Sequence, residues 1–214
     1  SPTDPYNLHN PADVTTRREY YGVNAVPDIQ VDGVNTNSWQ NLITSNAATS
    51  APLSIDLFGI YDNPSGNGCC VVAMTPEAGV SGDYKLHVVL VQDGLYFMGS
   101  NGYPNHEHVM RDMFPNASGT TISLEAGVQA LEVVNFSVDP SYITDDCRLV
   151  VFVQSLDHTV LNASTVHVSE ISPITFPLFS IPSTNLSIMG DDGDGTLNPG
   201  ESAEYSVSVT NACG

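Results

Sequence analysis

The sequence has few basic residues. Lys and Arg number 5 against 24 Asp and Glu, so the formal net charge at pH 7 is −19. A surface of this charge repels phosphate backbones and anionic lipid headgroups. No apolar run approaches the roughly 20 residues that a membrane-spanning helix needs, and Ser1 opens no positively charged signal region. We therefore expect neither nucleic-acid binding nor membrane insertion.

The chain also lacks recognisable catalytic and cofactor motifs. It contains no phosphate-binding loop, no paired-carboxylate motif and no Ser/His/Asp order above chance. We therefore assign no catalytic residue, no enzymatic activity and no organic cofactor.

Cysteines are few and scattered. Cys69, Cys70, Cys147 and Cys213 form no CxxC pair and no zinc-like spacing. Their even number favours structural disulfides, as in secreted or cell-surface β-proteins, over four reduced thiols in a cytosolic protein. Adjacent residues of a strand point to opposite faces, so Cys69 and Cys70 should bond different partners. That leaves Cys147 and Cys213 as the partners, in either pairing.

The centre of the chain has the pattern of a β-sandwich. Hydrophobic residues make up 41% of the whole chain, which is enough to bury a core. From residue 53 onward, apolar segments alternate with Gly, Pro, Asn and Asp clusters, and we predict strands over residues 53–61, 69–74, 84–92, 120–124, 128–138, 148–154 and 159–168. This spacing predicts an antiparallel, Ig-like β-sandwich over residues 51–170, a mainly β fold. Along residues 84–91 the alternation places His87 outward, as an ordinary exposed strand residue.

The two ends have the patterns of incomplete domains. Residues 1–50 have the pattern of the second half of a thioredoxin-like α/β unit. We predict a helix over residues 11–21, a second helix over residues 38–46 and a strand after Pro27. We predict a structural cis peptide bond before Pro27. Three prolines make residues 171–183 an extended linker. Residues 184–214 read as the start of a second β module, so we expect the chain to be part of a longer polypeptide.

An acidic turn within residues 190–201 is the best candidate for a ligand site. Gly195 falls on the turn glycine of a calcium loop, and oxygen ligands recur around it at Asp191, Asp192, Asp194, Thr196 and Glu201. The first ligand position of that pattern is Gly190, which departs from a helix-loop-helix site. The sequence therefore predicts calcium, with a solvated metal-free turn as the alternative.

Other polar features are less specific. His106 and His108 would share one face of a strand, which permits metal chelation, but we favour a loop edge for them and an ion pair for Arg111. Asn-x-Ser/Thr glycosylation acceptors stand at Asn116, Asn135, Asn162 and Asn185.

Several ordered blocks of the sequence resemble the Omp28-related outer membrane protein family. They lie at residues 18–27, 84–95, 106–113 and 150–154, and the resemblance extends over about residues 5–168. It implies a thioredoxin-like domain joined to a β-sandwich in a secreted or surface-attached bacterial protein. The chain departs from the family by lacking the thioredoxin half that would carry cysteines and by having Asp28 where Thr often follows the proline.

These observations predict an extracellular or cell-surface structural protein that self-associates. The terminal segments would dock on the sandwich or on the next copy, and strand addition by the tail would join copies head to tail into a filament. One alternative is a relative of thiol-disulfide oxidoreductases whose redox half is missing. Another is a carbohydrate-binding surface module, although no aromatic stripe marks a sugar platform.

Overall fold

The structure is a computed structural model that describes residues 4–99, 102–176, 178–190, 194–211 and 213. It divides into two compact units, residues 1–174 and 175–214. Strands dominate both units and every pairing between named strands is antiparallel, so the predicted mainly β class is confirmed. Within the described residues, no helix is both long and apolar enough to cross a bilayer.

The first unit opens with three helices and a small hairpin: α1 Pro5–His9, α2 Pro11–Tyr20, β1 Gln30–Val31, β2 Val34–Asn35 and α3 Trp39–Ala47. Asp4 and Asn10 cap the first two helices by accepting the backbone N–H groups of Tyr6 and Asp13, and each helix starts on a proline, which needs no N–H partner there. The Val26–Pro27 peptide bond is cis, the isomer predicted from the sequence. The thioredoxin-like interpretation of this segment stays a prediction.

The remainder of the first unit is a β-sandwich. Its strands are β3 Leu53–Asp62, β4 Asn67–Pro76, β5 Gly82–Gln92, β6 Leu95–Tyr96, β7 Asn105–His106, β8 Val109–Phe114, β9 Thr120–Leu124, β10 Ala130–Ser137, β11 Cys147–Gln154 and β12 Val160–His167. One sheet has the order β10-β4-β3. The other has the order β12-β11-β5-β8, and β9 pairs with the part of β5 that β8 leaves open. Strands β6 and β7 form a separate hairpin.

The core lies between the two sheets. Alternate residues of β5 point into it, and Leu86, Val88 and Leu90 are almost fully buried. The opposite face of β5 is buried as well, where Val89 and Val91 join Met113 and Ala117 in a second apolar cluster. The five-stranded sheet is therefore covered on both faces.

The N-terminal segment packs on this outer face. Asn10 Nδ2 donates to Asp112 Oδ1 of β8 at 2.9 Å, and the backbone N–H of Ala117 donates to Asp13 Oδ1 at 3.1 Å. The backbone N–H of Val160 donates to the carbonyl of Asp32, in the β1–β2 turn, at 3.0 Å. Residues 1–50 thus belong to the same compact unit as the sandwich.

The second unit is a two-stranded antiparallel ribbon, β13 Phe179–Met189 and β14 Ser202–Asn211. Strand β13 begins inside the segment 171–183 that the sequence predicts to be a linker, so that boundary is wrong. The pairing register shifts between Ser180 and Ser183.

Candidate functional site

A half-buried arginine links helix α2 to the outer face of the five-stranded sheet. Arg17 Nη2 donates to the hydroxyl of Tyr21 at 2.5 Å and to Gln154 Oε1 at 3.2 Å, and Nη1 lies 3.5 Å from His87 Nε2. Its guanidinium lies 4.7 Å from the ring centre of Tyr21 and 5.8 Å from that of Phe152. Gln154 is fully buried and its amide also donates to Tyr21. The arginine is thus held by neutral acceptors and aromatic rings.

His87 is the main correction to the sequence analysis. It points outward as the alternation predicts, but it is 2% exposed because α2 covers it. Its ring stacks on Phe152, with centroids 4.7 Å apart. Burial, together with the charges of Arg17 and Lys85, lowers the pKa of His87 to about 4. The ring is therefore neutral at pH 7, with Nε2 available to accept from Arg17, and its buried Nδ1 has no hydrogen-bond partner among the described residues.

Two glycines allow the close packing around this cluster. A Cβ on Gly119 would lie 2.8 Å from His87 Nδ1 and 2.6 Å from the carbonyl oxygen of Leu86. A Cβ on Gly33 would lie 1.6 Å from the carbonyl oxygen of His158, and Gly33 has a φ of +83°. The β1–β2 turn can therefore approach the β11–β12 turn only with glycine at that position.

A second polar cluster lies at the edge formed by β8. Burial raises the pKa of Asp112, and the nearby Asp13 carboxylate raises it too, against a backbone N–H that lowers it. The guanidinium of Arg111 lies 4.2 Å over the ring of Tyr142, whose hydroxyl is hydrogen-bonded to His9. No ion pair of Arg111 occurs within the described part of the chain, so the expected pairing of this residue is wrong.

The ion pairs of the first unit instead centre on Asp93. Arg148 Nη2 lies 2.8 Å from Asp93 Oδ2, and the backbone N–H of His108 donates to Asp93 Oδ1 at 2.7 Å. Burial raises the pKa of Asp93, but these interactions outweigh burial and lower it overall. His106 contacts the carbonyl of Phe97 through Nε2 at 2.9 Å, in the β6–β7 hairpin. The two histidines thus bond to different partners.

The predicted calcium turn is described only in part, because Asp191 and Asp192 lie outside the described residues. Asp194 Oδ1 accepts the backbone N–H of Thr196 at 2.7 Å, and Glu201 Oε2 accepts that of Asn198 at 2.8 Å. Among the residues that the structure describes, no three His, Cys, Asp or Glu side chains are arranged to hold a metal. Calcium binding stays a prediction.

The cysteines differ from the prediction in part. Cys69 and Cys213 are disulfide-bonded, whereas Cys70 and Cys147 are free and fully buried. The prediction that all four form disulfides is therefore wrong for Cys70 and Cys147. Burial raises the pKa of Cys70 to about 12 and that of Cys147 to about 11, so neither thiol is a reactive thiolate at pH 7.

The four predicted glycosylation acceptors have different surroundings. Asn116, Asn135 and Asn185 are exposed. Asn162 is half-buried, and its Nδ2 donates to the carbonyl of Leu53 at 2.6 Å, which occupies the nitrogen that a glycan would modify.

Comparisons with known proteins agree with the resemblance in the sequence. The family model described as outer membrane protein Omp28 matches residues 15–172. A solved structure, a domain of the outer membrane lipoprotein Omp28 from Porphyromonas gingivalis, is similar at 17% identity and a TM-score of 0.41, over 58% of this chain and 92% of that one. The comparison with curated proteins gives no significant match.

The family match covers the polar cluster around Arg17 and the whole sandwich, and it ends before the C-terminal ribbon. It confirms the predicted family resemblance and the predicted extracellular or cell-surface location. Because the match spans well over half of the sequence, this chain belongs to the Omp28 family of outer membrane proteins.

Proposed function

We propose that this chain is a non-catalytic cell-surface module that self-associates through its C-terminal ribbon. The observation that carries the proposal is the division of the ribbon into an apolar and a polar face. Residues paired across an antiparallel ladder share a face. The apolar face of the ribbon consists of Thr184, Leu186, Ile188, Ala203, Tyr205, Val207 and Val209. The opposite face, apart from Met189, is polar: Ser183, Asn185, Ser187, Ser202, Glu204, Ser206 and Ser208.

The apolar face of the ribbon is exposed to solvent. Leu186, Tyr205 and Val209 are each more than half exposed. An isolated two-stranded ribbon is marginally stable at best, and full burial of one Val or Leu side chain contributes about 1.5–3 kcal/mol. A partner that covers this face therefore stabilises the fold of the ribbon as well as the complex.

The occupant that we infer is the same face of a second copy. The face carries no charge, so two copies meet there without like-charge repulsion at the contact, although each chain has a net charge of −19. Packing face to face about a two-fold axis closes the assembly as a dimer. Head-to-tail strand addition, expected from the sequence, would instead continue into a filament.

Sedimentation of the full chain tests this function. Val207 and Ser208 are neighbours on β14 that point to opposite faces, which makes Ser208→Lys a matched control for Val207→Lys. We expect the native chain and Ser208→Lys to dimerise, more strongly at higher salt because salt screens the long-range repulsion. Val207→Lys should be monomeric. A native chain that stays monomeric, a filament, or equal effects of the two substitutions would each contradict the proposed dimer.

A further inference from the structure

A cleft of about 620 Å³ adjoins the polar cluster and shares Arg17 and Tyr21 with it. It is bounded by α1, α2 and the segment after α2, and its lining includes Arg17, Arg18 and Tyr21. Valines supply apolar surface to the same cleft at Val14, Val23 and Val26. Two of the five basic residues of a strongly acidic chain therefore meet in one cavity.

The described residues offset the positive charge of this cleft only in part. The ion pairs within the described residues join Asp93 to Arg148 and His108, and neither Arg17 nor Arg18 forms one. The hydrogen-bond acceptors around Arg17 are neutral, as described above. Asp4 also lines the cleft, but one of its carboxylate oxygens caps helix α1 by accepting the N–H of Tyr6.

This arrangement favours an anion of a particular shape. The half-buried guanidinium of Arg17 has no counter-ion among the described residues, and a carboxylate can accept a charge-assisted hydrogen bond from it. The valines line the same cleft as the arginines, so a group attached to the carboxylate can contact apolar surface there. A multiply charged phosphate lacks such a group, and the net charge of the chain repels it more strongly.

We propose that this cleft binds a carboxylate that carries an apolar substituent, with Arg17 and Arg18 holding the carboxylate and Val14, Val23 and Val26 contacting the substituent. A branched-chain organic acid and the C-terminus of a peptide that ends in an aliphatic residue share this chemistry. Binding does not require the C-terminal ribbon, so this site is independent of self-association.

Calorimetric titration of the full chain tests the site with three probes. Isovalerate represents a free acid, N-acetyl-leucine represents a peptide C-terminus, and N-acetyl-leucinamide is a matched neutral control. We expect at least one acid to bind and the amide to bind at least about tenfold more weakly, because it forms no charge-assisted hydrogen bond. A preference for N-acetyl-leucine identifies a peptide terminus as the source, and a preference for isovalerate identifies a small acid.

Substitutions locate the binding. The side chain of Arg18 is exposed and forms no hydrogen bond or ion pair within the described residues, so Arg18→Gln should fold normally and weaken acid binding about tenfold. Arg17→Lys tests the role of the second cation, because it removes the guanidinium and keeps the positive charge. Lys85→Gln, which removes a cation bonded to Thr121 on the sandwich, should leave binding unchanged. Equal binding of acid and amide, absence of acid binding, or no effect of Arg18→Gln would overturn the proposal.

Discussion

The buried neutral His87 makes stability depend on pH in a defined window. Its pKa is about 4 in the folded chain against 6.5 for a solvated histidine. Between these values the unfolded chain binds a proton that the folded chain does not. The free energy of unfolding therefore falls as the pH is lowered through this window, and the loss is complete below about pH 4.

The size of the effect follows from the two pKa values. One unit of pKa difference corresponds to about 1.4 kcal/mol. Integrating the difference in bound protons from about pH 7.5 to about pH 5 gives a loss of about 2 kcal/mol. Burial and the charges of Arg17 and Lys85 act in the same direction on the histidine. The raised pKa values of Asp112 and Glu132 contribute with the opposite sign.

Comparing the native chain with His87→Gln isolates the histidine, because the carboxylates are common to both proteins. Urea unfolding at the two pH values, followed by far-UV circular dichroism and by fluorescence of the single Trp39, gives the four free energies. We expect the native chain to lose about 2 kcal/mol more than the variant on acidification. Equal losses in the two proteins, or an NMR titration that finds His87 protonating near pH 6.5, would refute the reasoning.

Three further predictions concern packing, metal and thiols. Gly68→Ala should destabilise the sandwich by about 1–3 kcal/mol in urea unfolding, because a Cβ would lie 2.2 Å from Phe136 Cζ. Adding Phe136→Leu to this variant should recover part of the loss. If the free-energy effects of the two substitutions are fully additive, the predicted contact is absent. If the acidic turn binds calcium, a chelator should increase proteolysis of the C-terminal unit in the native chain but not in Glu201→Gln. Equal cleavage of the native chain with and without chelator would exclude a stabilising ion. Alkylation without reductant should label Cys70 and Cys147 only after unfolding, and labelling of all four cysteines would contradict disulfide bonding of Cys69 and Cys213.

The strands of the sandwich could be predicted well where one face is apolar and the other polar. Strands β3 and β9 lie close to their predicted positions because alternation and the turn residues beside them agree. Strand β8, Val109–Phe114, was missed. It contains Arg111 and Asp112 at adjacent positions and follows a histidine-rich segment, so its composition resembles a polar loop.

The polar cluster around Arg17 could be predicted only in outline. Its residues come from α2, β5 and β11, and no local pattern states which helix covers which sheet face. One signal was present in the sequence. Residues 88–91 are apolar on both faces of the strand, and continuous apolar runs are typical of strands that are buried on both sides. That signal predicts a covered outer face and therefore a buried His87.

The N-terminal segment also has a consequence for the order of folding. Its anchoring partners are distant along the chain, since Asn10 and Asp13 bond to residues 102 and 104 positions away and Arg17 to Gln154, 137 positions away. Contacts of such long sequence separation are slow to form, and these cannot form until β5, β8 and β11 are assembled. This segment is thus synthesised before the strands of the sandwich but becomes native after them. Until then the outer face of the sheet is open to chaperones and proteases, and docking of this segment completes the fold of the first unit.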